Sequence, residues 1–98
     1  MKVMISQPMN GKSDTEILKE RQLLKDKLES QGYEVIDTFI TEEINDSGDN
    51  LGIRYLAKSI EFIAQVDGLI FLPGWQEARG CVIEHEVARR YGKWIKEM

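Results

Sequence analysis

Glu84, His85 and Glu86 stand in a row in the run GCVIEHEVARRYG, and each is a side chain able to move protons or attack carbon. Glu84 follows Gly80 by four residues, about one turn into a helix that starts near Ala78-Arg79-Gly80. At that depth free amides and the positive end of the helix dipole favour the ionised carboxyl, the form a nucleophile needs. Gly80 either admits a ligand close to the helix backbone or merely permits tight helix packing. Glu86 points roughly 200° away from Glu84, since each residue turns the helix by about 100°. The two carboxylates are therefore not a facing pair, and Glu86 is expected at solvent or a subunit boundary. His85 reads as a proton carrier or as a surface or interface residue. Trp75, after Pro73-Gly74, offers a flat ring that stacks on a base or covers a small core.

At the other end of the chain, Ser6 and Gln7 terminate an apolar run and present polar side chains suited to the hydroxyls or base edge of a ligand. Met9 and Gly11 follow in the same loop. Gly11-Lys12-Ser13 lacks the earlier glycine of a Walker phosphate loop, and neither Gly-x-Ser-x-Gly nor Gly-x-Gly-x-x-Gly occurs. Hydrolase elbows and dinucleotide folds lose support.

The elements that hold these residues follow from pattern. Residues 2–5 read as a buried strand stopped by Pro8, Asn10 and Gly11. Ser13 to Glu16 matches a capping box opening a helix marked by Ile17, Leu18, Leu24 and Leu28 and closed by Gly32. A second strand is expected over 33–37, then a solvated polar loop over 38–50. Leu51, Ile53, Leu56, Ile60 and Ile63 mark a helix to about Gln65, and 68–72 is a strand apolar on both faces. Val82, Ile83, Val87 and Tyr91 mark the third helix, Gly92 ends it, and Trp94-Ile95 reads as a last strand. Strictly alternating strands and helices predict a small doubly wound α/β fold, a three-layer sandwich on a mainly parallel sheet of four strands in the order 2-1-3-4. Ligands then bind outside the carboxyl ends of strands 1 and 3, between the loops 6–12 and 73–79.

Composition narrows the function classes. A chain of 98 residues supports one domain, here 1–98. Its one cysteine, Cys81, excludes an internal disulfide, and no cysteine pair or histidine cluster suits zinc, so no metal or organic cofactor is expected and a reducing, cytoplasmic setting fits best. No apolar run reaches the ~20 residues of a membrane helix and no signal-peptide core appears, so a soluble, unprocessed protein without a membrane partner is expected. Net charge is −4 with Lys and Arg scattered among acids, which argues against a nucleic-acid partner. The last strand leaves a sheet edge that a second copy could cover, so a homo-oligomer, a dimer or larger, is expected.

The stretch Asp67 to Leu72 with Trp75, Gly80-Cys81, Glu84, Ala88 and Gly92, and the opening Val3 to Met9 with Gly11, resemble the DUF4406 family, small phage and bacterial proteins beside the nucleoside 2-deoxyribosyltransferases. In those transferases a helix glutamate attacks the anomeric carbon of a 2′-deoxynucleoside and the base departs after protonation. The resemblance implies that Glu84 is that nucleophile, that Gly80 and Arg79 contact sugar or phosphate, that Trp75 stacks, and that Ser6, Gln7, Met9 and Gly11 line the opposite wall. It also exposes departures. Ala78 stands where the transferases carry a sugar-binding aspartate, Ser59 where they carry a base-contacting one, and Glu86 where they carry a glycine. A nucleotide N-hydrolase would want phosphate ligands near the helix start, where Gln76 and Arg79 are available. The resulting expectation is an enzyme that cleaves or transfers an N-glycosidic bond of a small nucleoside or nucleotide. The alternatives are a noncatalytic nucleotide-binding or sensing module and a phage or host interaction protein on the same scaffold.

Overall fold

A computed structural model of the chain describes residues 1–9, 11–38 and 48–98. Among the described residues four strands and three helices alternate: β1 (Lys2–Ser6), α1 (Asp14–Ser30), β2 (Glu34–Val35), α2 (Gly48–Ile63), β3 (Gly68–Phe71), a 3-10 turn (Trp75–Glu77), α3 (Arg79–Arg90) and β4 (Trp94–Glu97). The strands form one parallel sheet in the order β2-β1-β3-β4, as the alternation predicts. Register along the central pair runs from Val3 opposite Gly68 to Ser6 opposite Phe71.

Side chains of the central strands alternate between two cores. Val3 and Ile5 of β1 and Ile70 of β3 pack with Leu24 and Leu28 of α1, whereas Met4, Leu69 and Phe71 pack on the other face with Ile63 and Ala88. Hence α1 covers one face of the sheet and α2 and α3 the other, which completes the three layers. Gly68 is indispensable to this packing: a Cβ there would lie 2.7 Å from the backbone oxygen of Trp94 on the neighbouring strand.

Ser13 caps α1 by accepting from the amide of Glu16 at 3.2 Å, as the capping box predicts. Several expectations need correction. The buried stripe of α1 is Ile17, Leu24 and Leu28, with Leu18 exposed. Thr38 is buried rather than solvated, because it accepts a hydrogen bond from Arg21. Helix α2 starts at Gly48 and not at Leu51; the rest of the expected loop, 39–47, lies outside the described residues, as does Asn10. The expected core markers Val82, Ile83 and Tyr91 are exposed, since α3 turns Cys81, Glu84 and Ala88 inward instead, and Ile53 of α2 is exposed as well.

Candidate functional site

Strand β1 delivers Ser6 to the carboxyl end of the sheet, on the face that α3 covers. There the Ser6 hydroxyl donates to Glu84 Oε1 at 3.1 Å, and both side chains are buried. The pair is 78 positions apart in sequence and joins the tip of β1 to the middle of α3. Cys81, one turn before Glu84 on the same stripe, borders both groups; burial pushes its thiol pKa up, the Ser6 contact opposes this, and the nearby Glu84 charge adds to it.

Above this pair opens a cleft of about 490 Å³, in the range of small-molecule sites. Glu84, Gln7 and Cys81 contribute to it from the sheet end; Met9 comes from the β1 loop; Ala78, Arg79, Gly80 and Ile83 come from the first turns of α3. The facing wall is α2, through Gly52, Ile53, Tyr55, Leu56 and Ser59. Gly80 has nothing within 4 Å of the place where a Cβ would stand, so packing does not require a glycine there. Gly52 is different: a Cβ would meet Arg79 Nη2 at 3.4 Å, which shows how closely the guanidinium lies over α2.

The charge state of Glu84 differs from the sequence expectation. Helix α3 begins at Arg79, which puts Glu84 beyond the first turn, where the dipole fades. Burial then dominates and raises its pKa to about 7, against the Ser6 hydrogen bond and the positive charge of Arg21. An ordinary carboxyl is thus held half-protonated near neutrality.

Arg21 is the functional candidate that motif reading misses. From α1, on the opposite face of the sheet, its Nη2 donates to Thr38 Oγ1 at 2.9 Å and to the Ile5 carbonyl at 3.4 Å, at the peptide preceding Ser6. Burial lowers its pKa, while the charges of Asp37 and Glu84 raise it. Its signal lies in the stripe of α1: position 21 falls at helical spacing between Ile17, Leu24 and Leu28, so a cation occupies an apolar row. Arg21 also lines a second cavity with Lys25, Asp37 and Thr38, but at about 90 Å³ that space is too small for a nucleoside.

Of the residues expected at the site, the fold brings Gln7, Met9, Arg79, Gly80 and Glu84 to one cleft, with Ser6 bonded to Glu84. Trp75 and Gly11 do not line it. Gly74, at φ 89°, and the 3-10 turn swing Trp75 onto His85, with ring centroids 4.2 Å apart and planes 6° apart, and both rings lie near Phe71. Of the expected wall 73–79 only Ala78 and Arg79 line the cleft, and α2 completes the second wall. Gly11, at φ 78°, serves a turn closed by the Lys12 amide on the Met9 carbonyl. His85 is likewise outside the cleft, its Nε2 at 3.8 Å from Glu97. Glu86 is partly exposed and paired with Arg89 and Arg90, facing away from Glu84 as the helix geometry predicts. Both Ala78 and Ser59 line the cleft. Among the described residues no group of His, Cys, Asp and Glu suits a metal ion, and no helix is long and apolar enough to cross a membrane.

No curated protein and no solved structure matches the chain. The family described as a domain of unknown function, DUF4406, matches over residues 1–97, and the chain belongs to that family.

Proposed function

We propose that the chain binds a nucleoside or nucleotide in the cleft above Ser6 and cleaves or exchanges its N-glycosidic bond, with Glu84 as the nucleophile. The observation that carries this reading is one buried carboxyl, fixed by a serine hydroxyl, at the base of a cleft large enough for a nucleoside. Burial of such a group costs stability, and perturbed carboxyls in clefts concentrate at functional sites. In the first step the Glu84 carboxylate forms a C–O bond to the anomeric carbon as the C–N bond breaks, and the electron pair and a proton go to the departing base. Water or a second base then attacks the same carbon and releases Glu84, the two-step logic of retaining glycosyl transfer. Among the described residues lining the cleft Glu84 is the one carboxylate, and solvent supplies the proton for the departing base. Ser6 orients the attacking carboxyl, and the positive charge of Arg21 favours its ionised form.

A second reading is a noncatalytic binding or sensing module, which the uncharged Ala78 and Ser59 in the cleft wall favour. A panel of 2′-deoxynucleosides and their 5′-monophosphates, followed for release of free base and for thermal shift, decides between them. Turnover by the native chain that Glu84→Gln abolishes supports the enzyme. Binding without turnover on every member leaves the module, and neither binding nor turnover removes both. The exposed edge of β4 and the single buried cysteine fit a homo-oligomer in a reducing, cytoplasmic setting.

A further inference from the structure

With Trp75 drawn onto His85 and Phe71, the cleft keeps a different aromatic, Tyr55. Helix α2 connects the parallel strands β2 and β3, so it runs back against their direction and its first turns lie at the carboxyl end of the sheet. Its inward stripe accordingly changes partner along its length. Ile60, Phe62 and Ile63 pack on the core, whereas Gly52, Tyr55, Leu56 and Ser59, at helical spacing in the turns before, line the cleft. Tyr55 is half-buried there, and its side chain makes no hydrogen bond or ring contact with another described residue. Among the described residues lining the cleft it is the one aromatic. A ring that sits in a packing stripe without a partner is open to a flat ligand.

The reaction decides which part of the ligand arrives there. A carboxylate that displaces the base enters the anomeric carbon on the face opposite the C–N bond. Glu84 comes from α3 and the sheet end, where Ser6 holds it, so the base points away from both and toward α2. On that wall Tyr55 stands with Ile53 and Leu56, and the one further polar side chain is Ser59. A serine hydroxyl donates or accepts by turning, so it does not tell one base edge from another. We infer that the base of the bound nucleoside stacks on Tyr55, and that the cleft ranks bases by ring area, purines ahead of pyrimidines, rather than by hydrogen-bonding edge. This rests on the reading of the cleft as a nucleoside site and adds which nucleosides that site prefers. Stacking tolerates any base, because every base has a π face, and it grows with the overlap that two fused rings offer over one.

The test uses the full chain carrying Glu84→Gln, which removes turnover, alone and combined with Tyr55→Phe or Tyr55→Leu. Titration calorimetry gives dissociation constants for 2′-deoxyadenosine, 2′-deoxyguanosine, 2′-deoxyinosine, 2′-deoxycytidine, thymidine and their 5′-monophosphates, compared within whichever series binds. The three purines share their ring area and differ at their edges. They are expected to bind within about fivefold of one another and more tightly than either pyrimidine. Tyr55→Phe keeps the ring and should keep that ranking. Tyr55→Leu should weaken the purines roughly 5- to 100-fold and narrow their lead over the pyrimidines. Should Tyr55→Leu fail to fold, the ranking on the Tyr55 and Tyr55→Phe chains carries the test. A pyrimidine as tight as the purines, a wider split among the three purines, or purine affinity unchanged by Tyr55→Leu overturns the inference while leaving the nucleoside site standing. Absence of binding by every panel member removes the nucleoside reading itself and this inference with it.

Discussion

Glu84 and Glu86 are separated by one residue on the same helix, and their surroundings drive them in opposite directions. Glu84 is buried against Ser6 and its pKa rises to about 7; Glu86 meets Arg89 and Arg90 at the surface and its pKa falls to about 2. Desolvation is the largest cause for the first, hydrogen bonding to guanidinium for the second. Two identical side chains thus become a poised carboxyl and a permanently ionised surface anion. What separates them is the roughly 200° that two residues turn a helix, which places one over the tip of β1 and the other in water.

The largest break in that comparison comes from Glu84→Gln. If the proposed chemistry holds, base release falls by at least about 10³-fold, since the nucleophile is gone while the hydrogen-bonding shape remains. Stability moves the other way. A carboxyl whose folded pKa lies above its unfolded value of 4.5 stabilises the fold only while protonated, and that contribution is lost as pH rises from about 4.5 through about 7. Ionised Glu84 then costs at most about 3 kcal/mol above neutrality. Urea melts of the two chains should therefore nearly coincide at pH 4.5 and diverge at pH 8, with Glu84→Gln the more stable. In the native chain, base release should rise with pH through about 7, because only the ionised carboxyl attacks. A variant less stable than the native chain at pH 8 would contradict the buried, desolvated Glu84.

The same contrast explains how far the sequence could be read. Alternating elements and apolar strands led to the parallel sheet and its order, because a buried parallel sheet leaves few other topologies for four strands. The capping box at Ser13 located α1 to the residue. Glu84 and the side it faces are legible through its distance from Gly80 and from Glu86, but the apolar inward row of α3 is not. The inward stripe of α3 is Cys81, Glu84 and Ala88, and a carboxyl in that stripe lets Val82 and Ile83 suggest another face. Arg21 was missed for the same reason, as a cation in the apolar row of α1. In both helices periodicity fails where an ionisable side chain turns inward near the tip of β1. Trp75 takes the core-covering one of its two sequence readings and not the ligand-stacking one, because a left-handed glycine and a 3-10 turn redirect it, and neither leaves a periodic trace.

Arg21→Met sharpens the comparison by removing the partly buried cation that opposes desolvation at Glu84. The Glu84 pKa should move further up, so that the pH dependence of stability measured against an Arg21→Met/Glu84→Gln double variant extends to higher pH than in the native background. The readout needs no substrate. Loss of the bonds to Thr38 and the Ile5 carbonyl should also lower the overall melting temperature, but a purely structural arginine would do that without displacing the titration. An unchanged titration would separate Arg21 from the site.

A smaller effect is expected from Gly80→Ala, which pits ligand space against helix stability. Gly80 does not adopt a positive φ, and a Cβ there meets nothing within 4 Å. Alanine should thus be accommodated and should stabilise α3 by up to about 1 kcal/mol. The added methyl stands where the ligand approaches the backbone, so binding should weaken roughly tenfold, through displacement of the ligand from its productive geometry. A more stable chain that binds more weakly assigns Gly80 to the ligand. A stability gain with unchanged affinity assigns it to neither ligand nor packing.

The smallest change should come from Glu86→Gln, and its smallness is informative. Glu86 is well solvated, and its bonds to Arg89 and Arg90 are exchanged readily for water. Its low pKa means that it remains ionised across the whole range in which Glu84 titrates, so it cannot contribute a limb to the activity profile between pH 5 and 8. Melting temperature and base release should match the native chain at moderate salt, and any residual difference should shrink as salt is added. A change in the pH profile on removing Glu86 would mean that the two carboxyls communicate through the helix, and the division of labour between its two faces would no longer hold.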